Sequence, residues 1–466
     1  MALGSPEQAL TYLEQALALT QDPAERAALL DTAGDAAFRT DAFERAVAHL
    51  EAAITAHRSA GDADAVGRST ARLAEVLGDG MERVADAIAR AQPVLTELGE
   101  TGNERARADL AATLASLRGS SGTSDQPLAW AETACTLAER LDDTDLLGRA
   151  IGAKSAVLFR VGRHREAVML ARGRMALAAT AGSLVEQAWA SMYVSLFVGD
   201  EDPHEAIRLQ LESAELARRA GARTLESVNL LNAAEGATNL GQWDDARAAL
   251  SALRQRDLPS PRLTQLELCE AVLAAFSGDT SLAMERLAAT ADAEGSEDMT
   301  ARANNHRARA AVHMAADDLE AAYRHASAAL AAETSGINSA AALAIQQRAA
   351  LWLGDAGRAR EALAGMQGFR GRWMAAVRLT AEAGLAAMEG RRDEAATAYS
   401  RALDAWRAID SPLDLALCAL DRAILCGLDA APAGEEDEAR EIFTRIGATP
   451  FLARLDRAAA AARKAG

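Results

Sequence analysis

The residues of this 466-residue chain that could do chemistry are few and scattered. Gly148-Arg-Ala-Ile-Gly152-Ala-Lys154-Ser155 has the outline of a phosphate-binding loop, in which backbone N–H groups converge on a phosphate and Lys directly follows Gly. Here Ala153 intervenes and the context is helical, with no preceding strand, so nucleotide binding is not expected. His306 and His313 lie seven apart, about 10 Å along one helical face at a rise of ~1.5 Å per residue. Metal ligands on a helix are normally three or four apart, so these histidines read as packing or solvated groups. The four cysteines, Cys135, Cys269, Cys418 and Cys426, contain no CxxC and no zinc spacing. Cys418 and Cys426 would stand about 12 Å apart on a shared helix, too far for a bridge, and reduced thiols in a cytoplasmic protein are the simplest account. Glu435-Glu436 falls in a solvated acidic run. No Ser, His and Asp grouping has a local signature of nucleophilic catalysis. The expectation is therefore no catalytic residue, no cofactor, no metal and no enzymatic activity.

Binding residues are a better prospect. Asn229, Asn232, Gly236 and Asn239 fall at i, i+3, i+7 and i+10, a polar stripe beside Leu230, Leu231, Ala234 and Leu240. Asn is a poor helix former, so three on one face call for a reason beyond stability. Side-chain amides pair donors and acceptors with a peptide backbone, and the stripe is the first candidate groove surface. Asn304, Asn305 and Arg307 form a second cluster, and Arg160 and the Trp189 to Tyr193 segment are further groove candidates. The alternative for all of them is a solvated helix face without a ligand.

The elements that must position these residues are announced by a recurring pattern: a short turn, often with Gly and Asp, then a helix whose fourth or fifth residue is Ala. It reads SPEQA ending at Ala9, DAFERA at Ala46, GRHREA at Ala167, DPHEA at Ala206, GQWDDA at Ala246, GDTSLA at Ala283, DDLEA at Ala321, GDAGRA at Ala359 and GRRDEA at Ala395, with weaker copies at Ala87, Ala129 and Ala439. The eleven intervals average about 39 residues, a period that marks an array of stacked supersecondary units. Each unit reads as two antiparallel helices, for example Glu25 to Phe38 and then Ala42 to Ala60. Ser5-Pro6, Asp22-Pro23, Asp202-Pro203 and Ser411-Pro412 each place a capping side chain before a Pro at the first helical position. The recurring Ala falls one turn into the second helix, where a methyl lets it cross the preceding helix closely. The irregular segments 118–127, 292–298 and 428–437 read as inter-helix loops within one array over residues 1–466, because the period resumes on both sides.

Composition agrees with an all-α solenoid of about twelve helix pairs, wound as a right-handed superhelix. Half the residues are apolar but only 4% are aromatic, the balance being Ala and Leu, which favour helices and close packing. A formal charge of −18 argues against nucleic acid or anionic membrane as partners. Lys154 and Lys464 are the only lysines, so nearly every cation is Arg, which reads first as a compositional bias. No apolar run approaches a membrane span, and the N-terminus lacks a signal-peptide pattern.

With the turn Gly and the second-helix Ala both in place, the chain resembles tetratricopeptide-type helical repeats, with a period longer than the usual 34. Two passages are similar to the C-terminal repeat region of large bacterial ATP-binding regulators. The segment from Ala2 to Leu17, followed by Asp22-Pro-Ala-Glu-Arg-Ala-Ala-Leu-Leu, resembles the entry to that region in adenylate/guanylate-cyclase-like AAA ATPases. The segment Ala439-Arg-Glu-Ile-Phe-Thr-Arg-Ile-Gly-Ala-Thr-Pro-Phe-Leu-Ala-Arg resembles its closing helix, also found before the DNA-binding domain of LuxR-type regulators. The resemblance implies a module that senses a protein or peptide partner, or a small effector, and controls an attached ATPase, cyclase or DNA-binding domain. None of those domains is read in the chain itself. Residues 6 to 19 look like a second-type helix without its first partner, which favours a fragment of such a regulator over a stand-alone relative.

Overall fold

The computed structural model describes residues 6–100, 102–119, 125–296, 298–333, 337–427 and 434–465, which contain 24 α-helices. The first are α1 (Pro6–Leu19), α2 (Pro23–Arg39), α3 (Phe43–Ala60), α4 (Ala63–Glu75), α5 (Val84–Leu98), α6 (Glu104–Gly119), α7 (Gln126–Arg140) and α8 (Thr144–Arg160). They are followed by α9 (His164–Ala181), α10 (Leu184–Val198), α11 (Pro203–Ala220), α12 (Arg223–Leu240), α13 (Trp243–Arg254), α14 (Ser260–Ser277), α15 (Thr280–Ala288) and α16 (Met299–Ala315). The last are α17 (Leu319–Ala332), α18 (Ile337–Leu353), α19 (Ala356–Gly365), α20 (Arg372–Met388), α21 (Arg392–Ile409), α22 (Pro412–Cys426), α23 (Glu435–Ile446) and α24 (Thr449–Ala465). Even-numbered helices are the first members of the repeated pairs and odd-numbered helices the second. The described residues form an all-α array of repeated helix pairs.

Local chemistry sets the boundaries. Asp22 Oδ1 accepts from the amides of Ala24 and Glu25 at 3.0 and 2.8 Å, and Asp202 accepts from that of Glu205 at 2.9 Å. Ser411 departs from this scheme: its hydroxyl donates to the Asp414 carboxylate at 2.9 Å and makes no cap bond. Ser5 lies outside the described residues. The tight turn from first to second helix needs one residue at positive φ, supplied by Gly at 241 and 278 (φ 81 and 94) and by Asp at 41 and 317 (φ 61 and 67). Asp tolerates this region because its short side chain can bond locally.

Ten of the twelve pattern alanines are buried, from Ala46 to Ala439, and Ala9 is half-buried. Ala129 is the exception and is exposed; its neighbour Ala131 is fully buried instead. Helix α7 starts at Gln126, one residue ahead of Pro127, so the register of its inward stripe falls on Ala131 and Ala134.

Two compact units emerge, one of Met1–Phe197 with Leu209–Asn229, the other of Val198–Arg208 with Leu230–Gly466. The divisions fall at the last residue of α10 and within α11 and α12, and at none of the three irregular segments. Of those, residues 291–295 form a 3-10 turn, while 120–124, 297 and 428–433 lie outside the described residues.

Each unit is tied by contacts between turns far apart in sequence. In the first, Arg39 Nη2 donates to Ala220 O at 3.0 Å, Thr224 donates to Asp41, and Arg223 pairs with Glu7. In the second, Trp373 N donates to Asp200 O at 2.9 Å, Gly241 packs on Leu413 and Ile446, and Thr449 donates to Ser277 O at 2.8 Å. Asp317 meets Arg454 and Arg457 of α24. Among the described residues no helix is long and apolar enough to cross a membrane.

Candidate functional site

Within the first unit, the even-numbered helices carry a lattice of charge at the repeat period. Positions 35, 72, 109, 149 and 186 read Asp, Arg, Asp, Arg and Glu, one from each of α2, α4, α6, α8 and α10. Arg72 donates to Asp35 and, at 2.6 Å, to Glu75. Arg149 donates to Asp109 and, at 3.3 Å, to the other oxygen of Glu75. Arg105 donates to Asp109 at 3.2 Å and pairs with Asp143. The lattice satisfies the rule that buried charges be paired and hydrogen-bonded. Burial pushes the Glu75 carboxyl up, but Arg72 and Arg149 outweigh it and hold the group below its ordinary value. Burial alone would lower the Arg149 pKa; Glu75 and Asp109 reverse that and raise it.

Asp35, Arg72, Glu75, Arg105, Asp109 and Arg149 surround a recess of about 310 Å³, completed by Asp31, Arg68 and Ser69 with Leu50 and Ala71. Asp31 accepts from Ser69 at 2.5 Å and from His57 Nε2 at 2.8 Å. Arg68 is different: it is exposed and has no partner among the described residues. Asp35 has bonding capacity to spare, since its side chain is 48% exposed and meets Arg72 through one oxygen. The recess therefore offers one unspent cation and one half-exposed anion, set in a frame whose other charges are committed to each other.

The residues singled out in sequence are distributed as follows. Asn229 is fully buried; its Nδ2 donates to Leu225 O at 2.8 Å and its Oδ1 is left without a partner. Asn232 is half-buried and accepts from Gln265 at 3.2 Å, and Asn239 is exposed. Asn304 accepts from Arg307 at 2.6 Å, and Arg307 pairs at 2.8 Å with Glu235, one turn beyond Asn232. Asn232, Glu235, Gln265, Asn304 and Arg307 thus form one patch of the second unit, while Asn305 is buried and bonded to Thr290 O at 3.1 Å. Arg160 and Tyr193 belong to the first unit. Arg160 is half-buried and has a partner of its own. Tyr193 has the Arg174 guanidinium 5.4 Å from its ring; burial raises its phenol pKa, to which Asp79 adds, while a hydrogen bond with Ser116 pulls it down.

The charge lattice escaped the reading from sequence, although its signal was present. Asn stands out as an unusual helix residue, whereas Arg, Asp and Glu are common on any solvated face. Only placing the chain at its own period lines up the alternating signs at 35, 72, 109, 149 and 186. The loop-like Gly148–Ser155 lies inside α8. Its Gly152 leaves room for the Arg174 guanidinium, which is 4% exposed and pairs with Glu186 at 2.8 Å. His306 and His313 are joined by His325 of α17. His306 and His325 place their Nδ1 atoms 3.2 Å apart, and His313 stacks on His325 with centroids 5.4 Å apart. Among the described residues no group of three or more His, Cys, Asp or Glu is arranged to hold a metal ion. All four cysteines are free, Cys269 and Cys418 buried, Cys135 and Cys426 half-buried.

No family model and no curated protein matches the chain. Among solved structures it is similar to yeast Tom70, at 13% identity and a TM-score of 0.31, over 98% of this chain and 92% of that one. It is also similar to Naa15/Naa10 bound to HypK-THB, at 12% identity and a TM-score of 0.28, over 99% and 87%. Scores this low add nothing to the fold read directly from the helix pairs.

Proposed function

We propose that the chain is a non-enzymatic helical-repeat interaction module that receives a protein or peptide segment along the charged face of its first unit. The observation that carries this reading is the recess between α2, α4, α6 and α8, with Arg68 unpaired and Asp35 half-exposed beside a lattice of satisfied pairs. A segment presenting a carboxylate to Arg68 and a donor to Asp35 would be held without breaking any buried pair, so binding would not incur the cost of stranding a buried charge. Relay of occupancy to an associated ATPase, cyclase or transcription-regulator domain is proposed on the sequence resemblance alone. The small-effector reading stands second: the recess is near the lower size limit of ligand pockets, but those carry only a few polar groups and most of the side chains around this one are charged.

The test is selection of a displayed library of disordered peptides against the full chain and against Arg68→Glu, with Arg163→Glu as a control elsewhere on the surface. Selected peptides are expected to carry acidic residues and to lose at least about tenfold in Kd, about 1.4 kcal/mol, on Arg68→Glu alone. Peptides that bind both variants like the parent would remove this face from consideration. A rise in Tm with small molecules, and no selected peptide, would favour the effector reading.

A further inference from the structure

Helix α1 carries apolar residues on two faces. Leu10 and Leu17 are buried in the core of the first unit. Ala9, Tyr12, Leu13, Ala16 and Leu19 fall at i, i+3, i+4, i+7 and i+10 and make a second apolar stripe, covering about a third of the helix circumference. This stripe lies open. Tyr12 is 67% exposed, Leu19 at 81% is the most exposed large apolar side chain among the described residues, and Ala9, Leu13 and Ala16 are half-buried. One repeat further on, the same face is an interface. Ala46, Leu50 and Ala53 of α3 repeat Ala9, Leu13 and Ala16 letter for letter, and they are 0%, 1% and 0% exposed. They are closed by α2, whose Gly34 makes room for Leu50: a Cβ at 34 would stand 2.6 Å from Leu50 Cγ. Among the described residues no helix closes the stripe of α1 as α2 closes that of α3.

A repeat face left to water is normally polar, as on α24, which turns Asp456 and Arg457 outward. An exposed apolar stripe marks an interaction surface instead. We propose that the stripe of α1 is the docking site for an amphipathic helix of a partner protein, laid antiparallel to α1 as α2 lies against α3, with Gly or another small residue opposite Leu13. Close helix crossing needs that small residue, because Leu13 must enter a notch in the facing ridge. A second copy of the chain does not supply it: α1 contains no glycine, and the even-numbered helices are the first members of pairs of their own. The stripe is separate from the charged recess, so this inference does not rest on the peptide-binding reading.

The probe is a stapled helix with the sequence of residues 22–40, which carries the Asp22 cap and the Gly34 notch of α2. Added to the full chain, it should slow amide exchange across Leu10 to Leu19 at least about fivefold and leave α2 and α3 unchanged. Tyr12→Glu/Leu19→Glu in the chain, at two exposed positions that spare the fold, should weaken binding at least about tenfold, and Gly34→Leu in the probe should do the same. Arg68→Glu should leave this binding unaltered, which separates the stripe from the recess. A probe that protects nothing in α1, or that binds as well after either change, would overturn the proposal. So would a parent dimer in sedimentation that dissociates on Tyr12→Glu/Leu19→Glu, since the occupant would then be a second copy.

Discussion

At the scale of single residues, burial decides what a repeated letter means. Ala246 and Ala129 occupy the same place in the recurring pattern, yet Ala246 is 0% exposed at a helix crossing and Ala129 faces solvent. Ala246→Leu should overpack that crossing and lower unfolding stability by about 1–3 kcal/mol. Ala129→Leu should change it by less than about 0.5 kcal/mol, as surface substitutions do. Urea midpoints of the two variants, measured side by side, check the pair; equal shifts would break the burial argument. The polar interior follows the same logic. Asp421 is fully buried, and it is accommodated because Arg348 Nε and Trp352 Nε1 donate to it at 3.1 and 2.7 Å. Burial raises its carboxyl pKa, with Arg348 pulling the other way.

At the scale of elements, the α16–α17 hairpin and the α10–α11 turn respond to pH in opposite senses. His325 sits between His306 and His313, with Glu294, Arg309 and Arg302 around His306 and Asp318 3.3 Å from His313 Nδ1. Burial, and then the two neighbouring imidazoles, push His325 down to about 4. An unfolded His takes up its proton near pH 6.5, so the stability held by neutral His325 is present above that pH and is lost as pH falls from about 6.5 towards 4. Asp200 runs the other way. Burial beside the first turn of α20 raises it to about 6, and Glu201 adds to the shift. Its stability is present below the unfolded value near 3.9 and is lost as pH rises through 6. The two slopes oppose each other in the parent chain, so the variants are needed to separate them. The His325→Gln chain should lose less Tm between pH 7.5 and 5 than the parent. The Asp200→Asn chain should gain Tm at pH 7.5 and converge on the parent below pH 4. Parallel Tm curves for parent and variants would show that neither group titrates as its surroundings dictate.

At the scale of the whole molecule, an array with two compact units should not unfold in one step. The first unit has a core running from Leu10 to Leu117 with smaller clusters beyond it, and the second has one extending from Leu231 to Leu455. Repeat units draw their stability from neighbours, and long arrays lose all-or-none behaviour. Scanning calorimetry is expected to give a calorimetric enthalpy larger than the van't Hoff enthalpy. A single transition with equal enthalpies would contradict independent units.

Much of the architecture was determined by sequence alone, because its causes are local. The Ala pattern reports a steric requirement one turn into each second helix, Asp22 and Asp202 report unpaired amides at a helix start, and the turn Gly and Asp report a left-handed backbone. Each of these acts within a few residues, and the reading slipped only where local signals were ambiguous, as at Ala129 in α7 and Ser411 before α22. What the tertiary structure decided depends on contacts at a distance. Asn229 and Asn232 look alike in sequence, but only packing could bury the first and leave the second half-open to meet Gln265. The charge lattice arises because residues 37 to 40 apart become neighbours when first-type helices stack. The pairing of Arg454 and Arg457 with Asp317 joins groups 137 and 140 residues apart. No periodicity in the chain encodes that last meeting, since it depends on how far each repeat rotates against the next, a small angle summed over many units.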